Sequence, residues 1–443
     1  MRAANGANHP LSWVPTGYIT MALTYNMLTA AAVVMFSNLG MDNARAAEYA
    51  SALGIAYTVK PLFAAFLEMY KSKKFFVLAT QVILGIGYFA VAAIMQLPNY
   101  ISLMMALFWA LSFIGSTQDI TTDGVYVTSL NATNQAKYCG WQSLSWNFGK
   151  LAMLSIMIAL SGYLHEHVFK HDPHASGAMW VESWQIIFVI LGVVMLVMAL
   201  WHWRTMPEGS RAEHAPTNAR QALGTLGEAF VSFFRKKGIW MMIAFALLFR
   251  VSYGFLLAPS MLFMKDSAAN GGLLLSNQEF GLIYGTYGLA ANIIGSLIGG
   301  AYVARHGLQR VLFPLCCAIN IPNVSFLLLA IYQPESHAVI SAGVVVEQFF
   351  FGIGSVGFMI YLMQQLAPGR FTTAHYAFGT GLMALCMILT GMVSGYIQQA
   401  LGYIGYFAFV MAATIPSFVV CWYAPFHVKQ QANEPQMELK KAA

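Results

Sequence analysis

Asp119 and Asp123 stand four residues apart in WALSFIGSTQDITTDGVYVTSL, a stretch otherwise apolar enough to sit in oil. On a helix that spacing puts both carboxylates on one face, one turn apart. A buried carboxylate can hold a proton, pair with a cation or ligate a metal, and its neighbours decide which. Lys60, Lys150, Arg250 and Glu347 lie in comparably apolar surroundings. Burying even one charge at mid-bilayer costs roughly 2.5 kcal/mol or more on insertion scales. The six together therefore need to pair, face a wet cavity, or both, and equal numbers of each sign are what pairing requires.

Depth supports part of that pairing. At about 1.5 Å per residue, Lys60 lies roughly 14 Å above the inner end of its helix, and Lys150 roughly 18 Å. Asp119 and Asp123 lie roughly 16 Å and 10 Å from the inner end of theirs. These four can meet in one layer, with Lys60 and Lys150 as ion-pair partners of the aspartates. Arg250 and Glu347 match less well, although a contact or a water bridge is within an arginine's reach. The competing reading makes all six static staples between helices. Polar or small stripes favour a wet pathway: Ser112, Gly115, Asp119, Asp123 and Tyr126 on one helix, and Ser143, Asn147 and Lys150 on the next. A third runs through Glu347, Phe351, Gly354, Phe358, Tyr361 and Gln365.

The elements that carry these residues are membrane helices. The chain is 58% hydrophobic and 9% charged, with a mean hydropathy of +0.61. Soluble domains are usually about a quarter charged. Apolar segments long enough to span recur from about residue 14 to about residue 426 and predict an all-α membrane protein of about twelve transmembrane helices. The first segment lacks a cleavage site and reads as a retained helix. The polar connection TMPEGSRAEHAPTNARQALGTLGEAFVSFFRKK divides the spans six and six. The expected organisation is a bundle over 1–204, a linker over 205–237, a second bundle over 238–428 and a tail over 429–443. Within the linker, Leu223, Leu226, Phe230 and Phe233 share a helix face, as on a helix lying along the inner surface; a plain linker helix is the alternative.

With both termini inside, 17 Lys and Arg fall in inner segments and 3 in outer loops, as the positive-inside tendency predicts. The net charge of +6 thus reflects topology and is no evidence for nucleic acid. The five cysteines have no metal or redox spacing and read as packing residues. His165, His167, His171 and His174 match no standard metal site, and His375 reads as a helix-end packing residue. No cofactor or metal is expected. A membrane enzyme would need a nucleophile or metal constellation near one face, and the sequence offers none. Tyr25, Asn26, Trp141, Trp146, Asn147 and Gln348 are candidate solute contacts. The inner tryptophans could stack on sugar rings, with packing as the bland reading.

The two halves echo each other in their loops. GGAYVARHGLQRVL, with Gly300, Arg305, Gly307 and Arg310, resembles the G-x-x-x-D-R-x-G-R-R signature of the major facilitator superfamily, with Ala304 where the aspartate would stand. The matching loop six spans earlier has Glu68, Lys71, Lys73 and Lys74. Gly281, Gly285, Gly288, Asn292, Gly295 and Gly299 form a stripe along which two helix backbones can approach closely. STQDITTDGVYV, YTVKPLFAAFLEMY (with Lys60 and Pro61), TAHYAFGTGLMAL and ATIPSFVV resemble the AmpG-type muropeptide permeases and their relatives, a group that includes acetyl-CoA transporters and siderophore permeases. The C-terminal half most resembles a branch found beside glycan-utilisation genes.

This resemblance implies two six-helix bundles around a central cavity, and proton-driven solute uptake across the inner membrane. On that footing Asp119 is the first choice for coupling, and Asp123 anchors Lys60 or Lys150. Arg250 faces anionic parts of the solute, and Glu347 balances it or carries a second proton. The partners implied are a small sugar-containing solute, protons and the lipid bilayer, for a monomer. Another organic anion or a siderophore as solute, sodium coupling and a non-transporting sensor are the alternatives.

Overall fold

The computed structural model describes residues 9–60, 62, 67, 72–130, 132–209 and 219–426. Helices are the only regular elements among the described residues. The first six spans are α1 (Pro10–Asn38), α2 (Asn43–Leu53, continued as Ile55–Thr58), α3 (Lys73–Ile94), α4 (Tyr100–Ser129), α5 (Ala132–Leu151, running on to Val168) and α6 (Ala178–Thr205). The linker helix α7 is Ala219–Phe234. The second set comprises α8 (Ile239–Lys265), α9 (Asn277–His306), α10 (Leu308–Tyr332) and α11 (His337–Leu366). The run from Thr372 to Trp422 bends at Gly402, whose φ of 65° few other residues tolerate, and divides into α12 (372–401) and α13 (403–422). Among the described residues ten segments are long and apolar enough to cross a bilayer. With α2 and the division at Gly402, the chain is an all-α membrane protein of about twelve spans in two six-helix bundles. Pro61, Glu68, Lys71 and the predicted tail lie outside the described residues.

Several spans are deliberately irregular. Pro259 cannot donate to the carbonyl of Phe255, and the Tyr406 hydroxyl donates to that oxygen instead, at 2.5 Å. Higher in consequence is the break in α8 at Arg250, whose φ of −116° and ψ of 17° leave the helical region. There the Ser417 hydroxyl donates to the Leu248 carbonyl at 2.9 Å. Backbone polar groups freed inside hydrocarbon need such partners, so each break is paired with a hydroxyl on a neighbouring helix.

The two halves meet along α2 against α12 and α5 against α9. The glycine stripe on α9 divides its work between these interfaces and the bundle interior. A Cβ at Gly281 or Gly285 would lie 2.7 and 2.5 Å from the Ser155 and Leu154 carbonyl oxygens of α5, in the other half. At Gly295 and Gly299 it would strike α11, within the same half. Hydrogen bonds between halves gather at the end away from the basic loops. Asn277 donates to Asn38 and to Ser161, both at 2.9 Å. Asp266 accepts across the halves from Asn43 at 2.9 Å, and also from Tyr403 of its own half at 3.0 Å, and Glu166 accepts from Gln278 at 2.8 Å. Nearer mid-span, Ser155 and Thr286 share a bond of 2.6 Å. Among the described residues the bonds between halves thus close the end away from the basic loops.

At the basic end Gly307, with φ 79°, turns α9 into α10 at the loop singled out by sequence. Its counterpart before α3 is anchored differently: Lys74 approaches Glu208 at 3.8 Å, and Ser72 donates to the same carboxylate at 2.6 Å. The helix α7 docks on the second half. Phe233 packs edge-on to Phe378 of α12, and Ser232 bonds His375 at 2.8 Å, which accounts for that histidine. The Leu223 side chain lies outside what is described. In the opposite end's loop, His165 stacks on Trp180 at 3.7 Å and bonds the Asp172 carbonyl at 3.0 Å.

Candidate functional site

Three helices of the first half build one side of the site. α4 presents Asp119 and Asp123 from one face, as four-residue spacing requires. Lys60 at the foot of α2 forms an ion pair and hydrogen bond with Asp119. Asp123 accepts a bond of 2.6 Å from the Tyr18 hydroxyl of α1. One helical repeat further along α1, Tyr25 sits edge-on to Tyr57 at 4.9 Å and tilted to Trp146 of α5 at 5.8 Å. Its hydroxyl is within electrostatic reach of Lys60, Asp119 and Arg250, so it stands between the charges of the two halves. Gly115, one turn from Asp119, leaves room for Tyr57: a Cβ there would be 2.4 Å from the phenol oxygen. Gly124 likewise clears the path of the Lys73 side chain, at 2.7 Å from its Cδ.

The second half faces this with a cation on an aromatic bed. Arg250, at the break in α8, lies 4.8 Å over the Phe351 ring and 5.5 Å from Tyr253, itself stacked on Phe351 at 3.8 Å. One guanidinium nitrogen contacts the Met383 sulfur at 3.1 Å, and Nε has no partner. Glu347 is 1% exposed; one oxygen accepts from Gln348 at 2.8 Å and the other has no partner. A part-buried cation that rests on π faces and a sulfur is poised for an anionic or hydrogen-bonding group to arrive.

The arrangement departs from the sequence expectations at named positions. Asp123 is anchored by Tyr18 instead of Lys60 or Lys150. Lys150 is no partner of the aspartates because α1 packs against both α4 and α5 and stands between them; a Cβ at Gly149 would lie 2.7 Å from the Ile19 carbonyl oxygen. Lys150 is instead within electrostatic reach of Glu347 and Arg250, across the two halves. Arg250 is not paired with Glu347. Trp141 shares its face with Leu144 and Phe148, all about half exposed, and points away from the cavity. The Asn26 amide donates to Ala22, and that of Asn147 to Ser143, each one turn back along its own helix. The lower stripe on α11 is packing: Phe358 and Tyr361 stack with Phe245.

Tyr18, Tyr57 and Tyr253 are the site residues that sequence reasoning missed. Tyr18 lies seven residues before Tyr25 and Tyr253 lies three after Arg250, so helical spacing alone placed each beside a residue already singled out. A static polar network also exists beside the site. Thr20 accepts from Gln81 at 3.3 Å and from Gln118 at 3.0 Å, and His202 bonds Thr16 at 2.8 Å. Gln118, next to Asp119 in sequence, thus serves packing between helices of one bundle.

Comparison with known proteins follows the same line. The family model of the Major Facilitator Superfamily matches residues 16–383. The chain is 24% identical over 383 residues to the anhydromuropeptide permease of Escherichia coli (strain K12), covering 84% of this chain and 70% of that protein. It is 22% identical over 314 residues to putative transporter AmpG 4 of Rickettsia conorii, covering 71% and 70% respectively. Among solved structures, a D-xylose–proton symporter superposes with a TM-score of 0.69 at 12% identity, covering 95% of this chain and 98% of the other. The nucleoside transporter NupG superposes with a TM-score of 0.66 at 16% identity, covering 93% and 97%.

Proposed function

From the premise that the chain belongs to the Major Facilitator Superfamily, we propose that it imports a sugar-containing solute, anhydro-muropeptide-like or a glycan oligosaccharide, across the inner membrane by proton symport. The observation that carries this reading is the pair of carboxylates on α4, each held by a different partner: Asp119 by the Lys60 ammonium and Asp123 by the Tyr18 phenol. A carboxylate in a low-dielectric site favours its neutral form, and a nearby ammonium favours the ionised one. Moving Lys60 relative to Asp119 as access alternates would therefore load and release a proton. Arg250 with its unbonded Nε would receive a carboxylate of the solute, and Trp146 and Tyr25 would offer flat apolar faces to a sugar ring. The similarity to an anhydromuropeptide permease supports that solute class.

With the basic loops cytoplasmic, the end joined by hydrogen bonds is external, which supports an inward-facing reading; we place both termini inside on the charge bias alone. The test is uptake of labelled anhydro-muropeptide and of small glycan oligosaccharides into proteoliposomes, with and without an inward proton gradient. Wild type should take up one class faster with the gradient, and Asp119→Asn should lose that acceleration. Uptake indifferent to the gradient and intact in Asp119→Asn would make the carboxylates structural.

A further inference from the structure

A second cavity, of about 680 Å³, lies at the basic end and belongs neither to the charged site nor to the bonds between halves. Its walls include Val59 and Leu62 of α2, Phe230 and Phe234 of α7, Trp240 of α8 and Leu385 of α12. Among the described lining residues only the Thr58 hydroxyl and the Trp240 indole N–H are polar side-chain groups. Leu62 is 57% exposed, Phe230 54% and Trp240 72%, so among the described residues the groove is open. These positions fall near the basic ends of three spans, with α7 along the floor, and the groove therefore opens sideways at the depth of one bilayer leaflet.

Cations adjoin its wall in sequence. Arg235 follows Phe234 directly and Lys237 lies three residues beyond it; both are exposed, and neither has an ion-pair partner among the described residues. The other nearby cations are committed: Lys236 donates to the Leu366 and Pro368 carbonyls, and Arg370 meets Glu228 at 3.7 Å. An apolar slot one leaflet deep with two exposed cations adjoining its wall has the chemistry of a phospholipid turned inside out: apolar where the lipid is apolar, positive where its phosphate would sit.

We propose that this groove is a binding site for one anionic glycerophospholipid of the surrounding bilayer, with an acyl chain between α2, α7 and α12 and its phosphate at Arg235 and Lys237. Because its walls come from both halves at the basic end, the occupant ties the halves together there and favours the arrangement seen. This holds whatever solute the central site takes.

The test uses the full chain in nanodiscs containing phosphatidylglycerol or phosphatidylcholine with a photoactivatable diazirine on the acyl chain. Label from phosphatidylglycerol should be recovered on peptides containing Leu62, Phe230 or Leu385, in excess over label from phosphatidylcholine. Arg235→Gln and Lys237→Gln should each reduce that excess roughly fivefold, the factor for one cation near an anionic headgroup. Gly227→Leu and Gly381→Leu should abolish labelling by both lipids. A Cβ at Gly227 has no neighbour within 4 Å and one at Gly381 only the Thr58 carbonyl at 3.8 Å, so each added side chain has room to fill the slot. Equal labelling by the two lipids would overturn the headgroup assignment. Label spread evenly along the spans, absent from those peptides or captured by a second copy of the chain would overturn the site. The wild-type map alone decides this if a glycine variant fails to fold.

Discussion

The Lys60–Asp119 pair can be a staple or a proton switch, and the two roles separate in a double-mutant cycle. Removing one partner leaves the other charge uncompensated, which costs about 3–5 kcal/mol when both are fully buried. Lys60 keeps 36% of its side chain accessible, so a loss of about 1–2 kcal/mol is expected for Asp119→Asn or Lys60→Gln alone. The double variant should regain most of that stability, measured by thermal unfolding in detergent. If the pair is a switch, the double variant still fails to accelerate uptake under a proton gradient; a staple would recover both. Tyr18→Phe should cost about 1–3 kcal/mol, because it strips a buried carboxylate of its donor. Asp123→Asn keeps an oxygen for the phenol and should unfold close to wild type; a drop as large as that of Tyr18→Phe would show that charge, and not the hydrogen bond, holds α1 to α4. The carboxylate face and the depth of Lys60 were legible in the sequence because helical spacing and rise are fixed by the backbone. Tyr18 was not, since a phenol in an apolar helix packs as well as it bonds and its spacing to Tyr25 has either meaning. Lys150 was misassigned for another reason: depth along a helix says nothing about which helix stands between two others.

At the level of elements, the glycines of α9 make two different predictions from one stripe. Gly285 faces α5 in the other half and Gly299 faces α11 in its own, each with a Cβ position 2.5 Å from a backbone carbonyl oxygen. Overpacking by a larger side chain costs typically about 1–3 kcal/mol. At Gly299 that strain has no outlet, so Gly299→Leu should lower the unfolding temperature of the whole protein. At Gly285 it can be relieved by parting the halves. Gly285→Leu should therefore keep the unfolding temperature near wild type while making a cysteine placed at Asn277 reactive to a water-soluble maleimide. Equal destabilisation by both, with position 277 still protected, would mean that α5 and α9 do not separate. The sequence displayed the stripe and its use in close approach. It was silent on the change of partner midway, because five glycines and an asparagine at 4–3–4–3–4 spacing present the same low ridge to any helix laid against it. The break at Arg250 was likewise unreadable: no Pro or Gly stands at that position, and the irregular backbone depends on Ser417 supplying a donor 169 residues away.

For the whole molecule, the proposed transport requires the two halves to rock about the central charges. The arithmetic of alternating access requires the closed end to open in every cycle, and the bonds from Asn277, Asp266 and Glu166 must then break together. A covalent tie across that end tests this directly. The Cβ of Ala159 in α5 lies 3.1 Å from where a Cβ at Gly281 of α9 would be, a few tenths of an ångström inside the separation that a disulfide prefers. In Ala159→Cys with Gly281→Cys, the Cβ added at 281 crowds the Ser155 carbonyl at 2.7 Å, so α5 and α9 must part slightly, which widens the Cβ separation toward the disulfide range, and oxidation should form the bridge. Solute uptake should then fall to the level of empty liposomes and return on reduction, while each single variant is indifferent to oxidant. The native Cys316, Cys386 and Cys421 are buried and Cys317 only partly accessible, so the single variants control for them. Transport that continues at the unbridged rate in the oxidised double variant would mean that solute does not pass between the halves. The bonds at the closed end would then be permanent parts of a rigid fold, and the carboxylates of α4 would have no alternation to couple to.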